Sequence, residues 1–115
     1  MIIEVKQTKY RICSNLKVAN TIFSRLLGLM FKKSMLGFDG LLIDPCNSIH
    51  TFFMRFSIDV IFLDSDNRIV KIIHSMKPWK MTWIYFKAKK VLELKAGTLN
   101  DNVSIGDELE IKCLS

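Results

Sequence analysis

Three ionisable side chains inside a largely apolar segment are the first sign of chemistry in this chain. Residues 48–64 are rich in Phe and Ile but also contain His50, Arg55 and Asp59. A buried charge is costly unless it is paired or hydrogen-bonded. On a strand Asp59 shares a face with Ile61, so we expect a largely buried carboxylate bonded to Arg55, His50 or backbone amides. It then serves as an acid, base or ligand anchor, or as a structural group that fixes strand ends.

A second carboxylate and a further arginine are candidates for the same site. Glu93 lies in an apolar run, with its side chain on the face opposite Leu92 and Leu94. Arg25 lies on a predicted helix, where it can pair with Asp59 or Glu93, bind an anionic ligand, or lie on the surface. Two carboxylates and one arginine suit general acid–base chemistry, but they can equally form a static ion network.

Cysteine and histidine offer a third kind of chemistry. Cys46 precedes His50 by four residues, so the two could act as nucleophile and base if Asp59 or Asn47 oriented the imidazole. The same spacing could supply two metal ligands, but zinc needs three or four, and His74 lies on another predicted strand. We therefore expect no metal and no cofactor, and a hydrogen-bonding role for His50 in a polar pocket.

Length and composition limit the classes of protein to which this chain can belong. The 115 residues, half of them apolar, suit a single domain spanning residues 1–115. No apolar run has the length of a membrane span, and the first residues lack the pattern of a signal peptide, so we expect a cytoplasmic protein. Three cysteines without a Cys-x-x-Cys pair indicate reduced, packed thiols rather than a disulfide framework.

Positive charge is concentrated in one part of the chain. Residues 67–92 contain seven basic residues and no acidic one. The formal net charge of the whole chain is +6. The segment 77–90, which we call the basic aromatic loop, also contains both tryptophans. Its candidate surface-binding residues are Lys77, Trp79, Lys80, Trp83 and Lys87. This mixture suits nucleobase stacking or an anionic membrane surface, or else a loop with packed rings and solvated lysines.

The elements that must position these groups are predicted to be short strands. Period-two alternation and turn residues place strands at 2–6, within 10–18, and at 41–43, 51–55, 58–63, 68–74, 89–94 and 108–113. One helix is predicted to begin after a cap at Asn20 or Thr21, to continue through Gly28, and to end before Gly37. The predicted fold class is mainly β (α+β): a compact antiparallel sheet or a partly closed small barrel with one or two short helices.

Five motifs resemble, in order and spacing, those of a bacterial and archaeal family called domain of unknown function 192. They lie at residues 25–30 (Arg-Leu-Leu-Gly-Leu-Met), 40–42, 45–54, 58–64, and 91–97 together with 105–107. Ser57 departs from the pattern, because the family usually has Pro before the Ile-Asp of the fourth motif. The family's biochemical role is not established, so the resemblance implies a fold and a candidate site but no reaction.

Three interpretations follow from these observations. The first is a small binding domain for an unknown ligand or protein partner, with a pocket formed by Arg25, His50, Thr51, Met54, Arg55, Asp59 and Glu93. The second is a small hydrolase- or lyase-like enzyme that uses Asp59 with Glu93, or Cys46 with His50. The third is a module that binds nucleic acid or an anionic surface through the basic aromatic loop.

Overall fold

Short strands form most of the regular structure, as the turn-divided sequence pattern predicts. The computed structural model describes residues 1–30 and 32–113. The elements in chain order are β1 (Ile2–Val5), β2 (Arg11–Cys13), β3 (Leu16–Ala19), α1 (Ile22–Leu27), β4 (Gly40–Ile43), β5 (Ile58–Leu63), β6 (Ile69–Met76), β7 (Lys90–Lys95) and β8 (Leu109–Lys112). The predicted mainly β class with a short helix is confirmed.

The strands form two open sheets. One sheet has three strands in the order β2-β1-β8, and the other has five in the order β3-β4-β7-β5-β6. The pairings are antiparallel except that of β3 with β4, which is parallel. The described sheets do not close on themselves, so the open-sheet alternative describes the fold and the partly closed barrel does not. Strand β7 lies between β4 and β5, which places its side chains at the centre of the molecule.

One face of the five-stranded sheet packs on the three-stranded sheet. Ile61 of β5 and Leu92 and Leu94 of β7 form an apolar cluster with residues that include Ile3 of β1 and Leu109 of β8. Alternate residues of a strand point to opposite faces. The other alternate set of β5 and β7 therefore points away from this cluster.

The opposite face of the five-stranded sheet forms a second buried cluster. Val60 and Phe62 of β5 and Val91 of β7 pack there with Leu29 and Met54, which come from segments outside the sheet. Every residue of β5 is buried as a result. A strand covered on both faces loses the alternation of polar and apolar residues that would mark a single inner face.

The helix is shorter than the sequence predicts. Thr21 is the cap, and its side chain accepts a hydrogen bond from the Ser24 amide. The prediction that Gly28 lies inside the helix and that the helix ends near Gly37 is wrong. Gly28 has a φ of 48° and caps the C-terminus after Leu27. Glycine adopts this left-handed backbone without the Cβ clash that other residues meet, so the chain turns out of the helix there.

The predicted strand at 51–55 is also wrong. This segment forms turns, with Phe53 at a φ of 64°, and the amide of Met54 bonds back to the carbonyl of Thr51. β-branched and aromatic composition favours a strand only where a neighbouring strand is available for pairing. The predicted loop after β6 is confirmed, and the amide of Trp79 and the carbonyl of Lys80 bond to the backbone of Thr51.

Candidate functional site

A cavity lies on the second face of the five-stranded sheet, next to the end of α1. Its volume is about 170 Å³. Helix α1 and the turn after it form one wall, the segment after β4 forms another, and β7 contributes one carboxylate. The lining residues are Arg25, Leu26, Leu27, Gly28, Leu29, Met30, Ile43, Cys46, Ser48, Ile49, His50, Met54 and Glu93. Most of these side chains are apolar, so the few polar ones determine what the cavity can bind.

Glu93 is the buried acid of this cavity. It occupies the middle of β7, opposite Val60, and is 3% exposed. Burial raises the pKa of its carboxyl group to about 8, because the charged form would lose its hydration. Its Oε2 atom is buried and has no hydrogen-bond partner among the described residues. At neutral pH Glu93 is therefore an uncharged carboxylic acid that can donate one hydrogen bond and accept others.

Arg25 is the cation of the cavity. It lies in the last turn of α1, and its Nη1 atom donates a hydrogen bond to the carbonyl of Pro45 at 3.0 Å. Its Nε atom is buried and has no partner within residues 1–30 and 32–113. Over the same residues, no carboxylate forms an ion pair with Arg25. Among the described residues, the guanidinium thus retains a free donor and a charge that no carboxylate pairs with.

Cys46 and His50 both line the cavity, but they are not arranged as a nucleophile and its base. The thiol of Cys46 donates to the carbonyl of Ser48 at 3.0 Å, and burial raises its pKa, which favours the protonated thiol. The Nδ1 atom of His50 accepts a hydrogen bond from the amide of Phe52 at 3.2 Å. With Nδ1 occupied as an acceptor, the proton of the neutral ring lies on Nε2. A catalytic pair would require the imidazole to accept the thiol proton.

Asp59 lies outside the cavity, on the other face of the sheet. It is 0% exposed, and its carboxylate accepts three backbone hydrogen bonds, from the amides of Ser75 (2.8 Å), Gly97 (3.1 Å) and Leu99 (3.0 Å). These bonds join β5 to the end of β6 and to the turn after β7. The geometry is that of a structural carboxylate that fixes strand ends, which was one of the two roles considered for it above.

The remaining candidates divide between the cavity and its surroundings. Met54 lines the cavity, as do Arg25, His50 and Glu93. Thr51 is fully buried beside the basic aromatic loop, where its hydroxyl bonds to Lys77 and Lys80. Arg55 is exposed and does not contribute to the cavity wall.

The structure therefore brings together four of the seven pocket candidates: Arg25, His50, Met54 and Glu93. It separates Thr51, Arg55 and Asp59 from them.

The apolar walls of the site were not predicted from the sequence. Leu29, Ile43 and Ile49 line the cavity, although none of them has a side chain that suggests chemistry. The available signal was Gly28, because a glycine after the Arg-Leu-Leu sequence permits the turn that precedes Leu29. In the part of the chain that the structure describes, no three His, Cys, Asp or Glu side chains are grouped as a metal site.

Comparisons with known proteins agree on the fold and the relatives of the chain. The family model DUF192, described as "Uncharacterized ACR", matches residues 2–111. A UPF0127 protein from Thermococcus sibiricus is 34% identical over 113 residues, which are 92% of this chain and 72% of that protein.

Two crystal structures have similar folds. A protein of unknown function from Novosphingobium aromaticivorans has a TM-score of 0.79 at 21% identity and covers 96% of this chain and 84% of its own. A Sinorhizobium meliloti protein, provisionally named a transcription regulator, has a TM-score of 0.75 at 27% identity, with 95% and 88% of the two chains covered.

Proposed function

We propose that this chain, which belongs to the uncharacterised family DUF192, is a binding domain that holds a small organic acid in the cavity beside α1. The observation that carries the proposal is that two buried polar atoms, Arg25 Nε and Glu93 Oε2, have no hydrogen-bond partner among the described residues and belong to side chains that line one cavity. Buried polar groups in native proteins are nearly always hydrogen-bonded, so a buried group without a partner requires an explanation. A ligand that bonds to both atoms supplies one.

The charge of the cavity favours an anion. Arg25 contributes a positive charge, and Glu93 is neutral at pH 7 because burial raises its pKa to about 8. A ligand carboxylate accepts hydrogen bonds from the guanidinium and from the un-ionised carboxyl group. Hydrogen bonds to charged groups are the stronger kind in proteins. A ligand cation would meet Arg25 without a compensating carboxylate.

The size and walls of the cavity limit the rest of the ligand. An apolar cavity of about 150 Å³ holds one benzene molecule, and this cavity measures about 170 Å³. The ligand therefore has roughly six to nine non-hydrogen atoms, well below the drug-sized molecules that occupy pockets of about 300–1,000 Å³. Leu29, Ile43, Ile49 and Met54 favour a short apolar body next to the acid group.

The enzyme interpretation has less support from this geometry. Asp59 and Glu93 lie on opposite faces of the sheet, and the Cys46 thiol donates to a carbonyl rather than to His50. General acid–base or nucleophilic catalysis requires the groups to converge on one substrate atom. Recognition of a ligand requires only the donors and apolar walls that the cavity contains.

Binding of matched small molecules tests this proposal. Acetate, butyrate and benzoate would be titrated by ligand-observed NMR at pH 6.5. The corresponding amide of each acid would be titrated in the same way for comparison. We expect butyrate and benzoate to bind and their amides to bind roughly tenfold more weakly, because hydrogen bonds from the guanidinium to a charged carboxylate are stronger than those to a neutral amide. Equal binding of acids and amides, or no binding of any of the six at millimolar concentration, would overturn the proposal.

Two arginine variants provide a matched comparison. Arg25→Gln removes the cation of the cavity and is expected to abolish carboxylate binding. Arg55→Gln removes the same charge from an exposed side chain outside the cavity wall, and it is expected to leave binding unchanged. Equal losses in both variants would indicate general electrostatic attraction rather than a site at Arg25.

A further inference from the structure

We infer that the basic aromatic loop docks onto the surface of an anionic lipid bilayer, a function separate from the ligand cavity. The loop exposes an unusual set of large apolar side chains: Trp79 (59%), Met81 (70%), Trp83 (85%), Ile84 (53%) and Phe86 (83%). Monomeric proteins rarely expose contiguous apolar patches larger than a few hundred Å², and larger ones generally mark sites of interaction. Five such side chains within eight consecutive residues are therefore a candidate contact surface.

Hydrogen bonds hold the backbone of this loop against the domain. The amides of Thr82 and Tyr85 bond to the carbonyls of Ile49 and Asn47 at 2.9 Å each. The hydroxyl of Thr51, which is fully buried, accepts from the amide of Lys80 at 2.9 Å. The apolar side chains are thus presented from an ordered segment. Binding pays a smaller entropic cost when the contacting segment is already ordered.

The charge around these side chains complements an anionic surface. Lys77, Lys80, Lys87 and Lys89 are exposed, and none of them forms an ion pair with another described residue. The segment 67–92 has no acidic residue that would repel lipid phosphates. Lysines near an anionic membrane surface are each worth roughly a fivefold gain in affinity.

The residue types favour a bilayer over nucleic acid. Single-stranded nucleic acids stack on aromatic rings, but Met81 and Ile84 offer no ring for stacking. A bilayer interface accepts aromatic and aliphatic side chains alike and places them below a layer of phosphates that lysines can reach. The cations of the loop are all lysines, whereas paired contacts to phosphates and bases favour the planar fork of arginine. No helix in the described part of the chain is long and apolar enough to cross a membrane.

The two tryptophans allow a direct test without a label, because Trp79 and Trp83 are the only tryptophans in the sequence and both lie in the loop. The whole chain would be titrated with vesicles of equal parts phosphatidylcholine and phosphatidylglycerol, and with pure phosphatidylcholine vesicles, at about 50 mM salt. We expect a blue shift of the emission and co-sedimentation with the anionic vesicles only. Salt at about 1 M, where the Debye length is about 3 Å, should weaken the binding.

Matched variants separate the loop from the overall charge. The triple change Lys77→Gln, Lys80→Gln and Lys87→Gln should weaken vesicle binding roughly 100-fold, at about fivefold for each lysine. The control triple Lys9→Gln, Lys33→Gln and Lys95→Gln removes the same charge from exposed positions outside the loop and should have a much smaller effect. Phe86→Ser should weaken binding, and Ile105→Ser, which changes an exposed apolar residue elsewhere, should not.

Three results would overturn the inference. The first is an unshifted emission with no co-sedimentation at low salt. The second is equal weakening by the two lysine triples. The third is quenching of the tryptophans by a single-stranded oligonucleotide in the absence of vesicle binding, which would assign the loop to nucleic acid instead.

Discussion

Asp59 and Glu93 lie on adjacent strands of one sheet but point to opposite faces. In the antiparallel pairing of β5 with β7, Asp59 is opposite Leu94 and Glu93 is opposite Val60. Directly opposite residues share a face, and successive residues alternate. The two buried acids therefore have separate environments. Three backbone amides donate hydrogen bonds to Asp59, whereas Glu93 lines the cavity and its Oε2 atom has no partner among the residues that the structure describes.

Replacing Glu93 with Gln should change the pH dependence of stability. Burial raises the folded pKa of Glu93 from 4.5 to about 8, so the folded state holds a proton that the unfolded state releases in this range. The stabilising contribution of the neutral acid is fully present below about pH 4.5 and declines as pH rises towards about 8. Unfolding free energies from urea titration should shift in favour of the Gln variant by about 1.4 kcal/mol for each pH unit in that window.

Other titrating groups cancel when the two proteins are compared at the same pH. Above about pH 8 the difference in unfolding free energy should level off, because Glu93 is then ionised in both states. A difference that stays constant from pH 5 to pH 8 would mean that the folded carboxyl group titrates normally and is solvated.

Replacing Asp59 with Asn should destabilise the fold. Asn has one acceptor oxygen and one amino group, so in either orientation at least one of the amides of Ser75, Gly97 and Leu99 faces a donor. Each lost hydrogen bond to a charged group costs about 1.5–3 kcal/mol. Thermal and urea unfolding should reveal this loss, while Asp66→Asn, a change at an exposed turn position, should have little effect. Unchanged stability of the Asp59 variant would refute the structural role.

Replacing Thr51 with Val should loosen the basic aromatic loop. The hydroxyl of Thr51 donates to the carbonyl of Lys77 at 2.6 Å and accepts from the amide of Lys80 at 2.9 Å. Valine has a similar shape but makes neither bond, so we expect a loss of about 1–3 kcal/mol in stability and a lower tryptophan anisotropy. Thr51→Ser retains the hydroxyl and should remain close to the wild type; equal effects of Val and Ser would contradict the account.

The cysteines should differ in reactivity. Burial raises the pKa of the Cys46 thiol, and it raises that of Cys13 to about 11, whereas Cys113 is exposed. The thiolate is the reactive form, so iodoacetamide at pH 8 should modify Cys113 first, as followed by mass spectrometry. Preferential labelling of Cys46 would indicate an activated thiol and would revive the enzyme interpretation.

Local patterns in the sequence predicted most of the strands and the start of the helix. Alternating residues marked β1, a run of β-branched and aromatic residues marked β5, and Thr21 marked the cap because its side chain can accept a hydrogen bond from an early helix amide. The turn before β6 contains Asn67, which adopts a φ of 60°, a backbone conformation that Asn tolerates better than most residues. These features depend on neighbours in the sequence, and for that reason they can be inferred from it.

The composition of the site could not be inferred in the same way, because it depends on non-local pairing. Both faces of β5 and β7 are buried, so alternation alone did not indicate which face Asp59 or Glu93 shares with a cavity. The register between the two strands decides this, and it places Asp59 opposite Leu94 and Val60 opposite Glu93, pairs that are far apart in the sequence. The prediction of a strand at 51–55 was wrong for a related reason: the backbone of Thr51 bonds to a distant loop rather than to a neighbouring strand.

Carboxylate binding in the cavity should depend on pH through the protonation of Glu93. Butyrate remains ionised from pH 6 to pH 10, so a change in its affinity reports on the protein. We predict constant affinity up to about pH 8 and a fall of about tenfold for each further unit, as Glu93 loses its proton and repels the ligand. Glu93→Gln should still bind butyrate, without that fall. A wild-type affinity that is unchanged between pH 6 and pH 10, or a Gln variant with the same decline, would contradict the account.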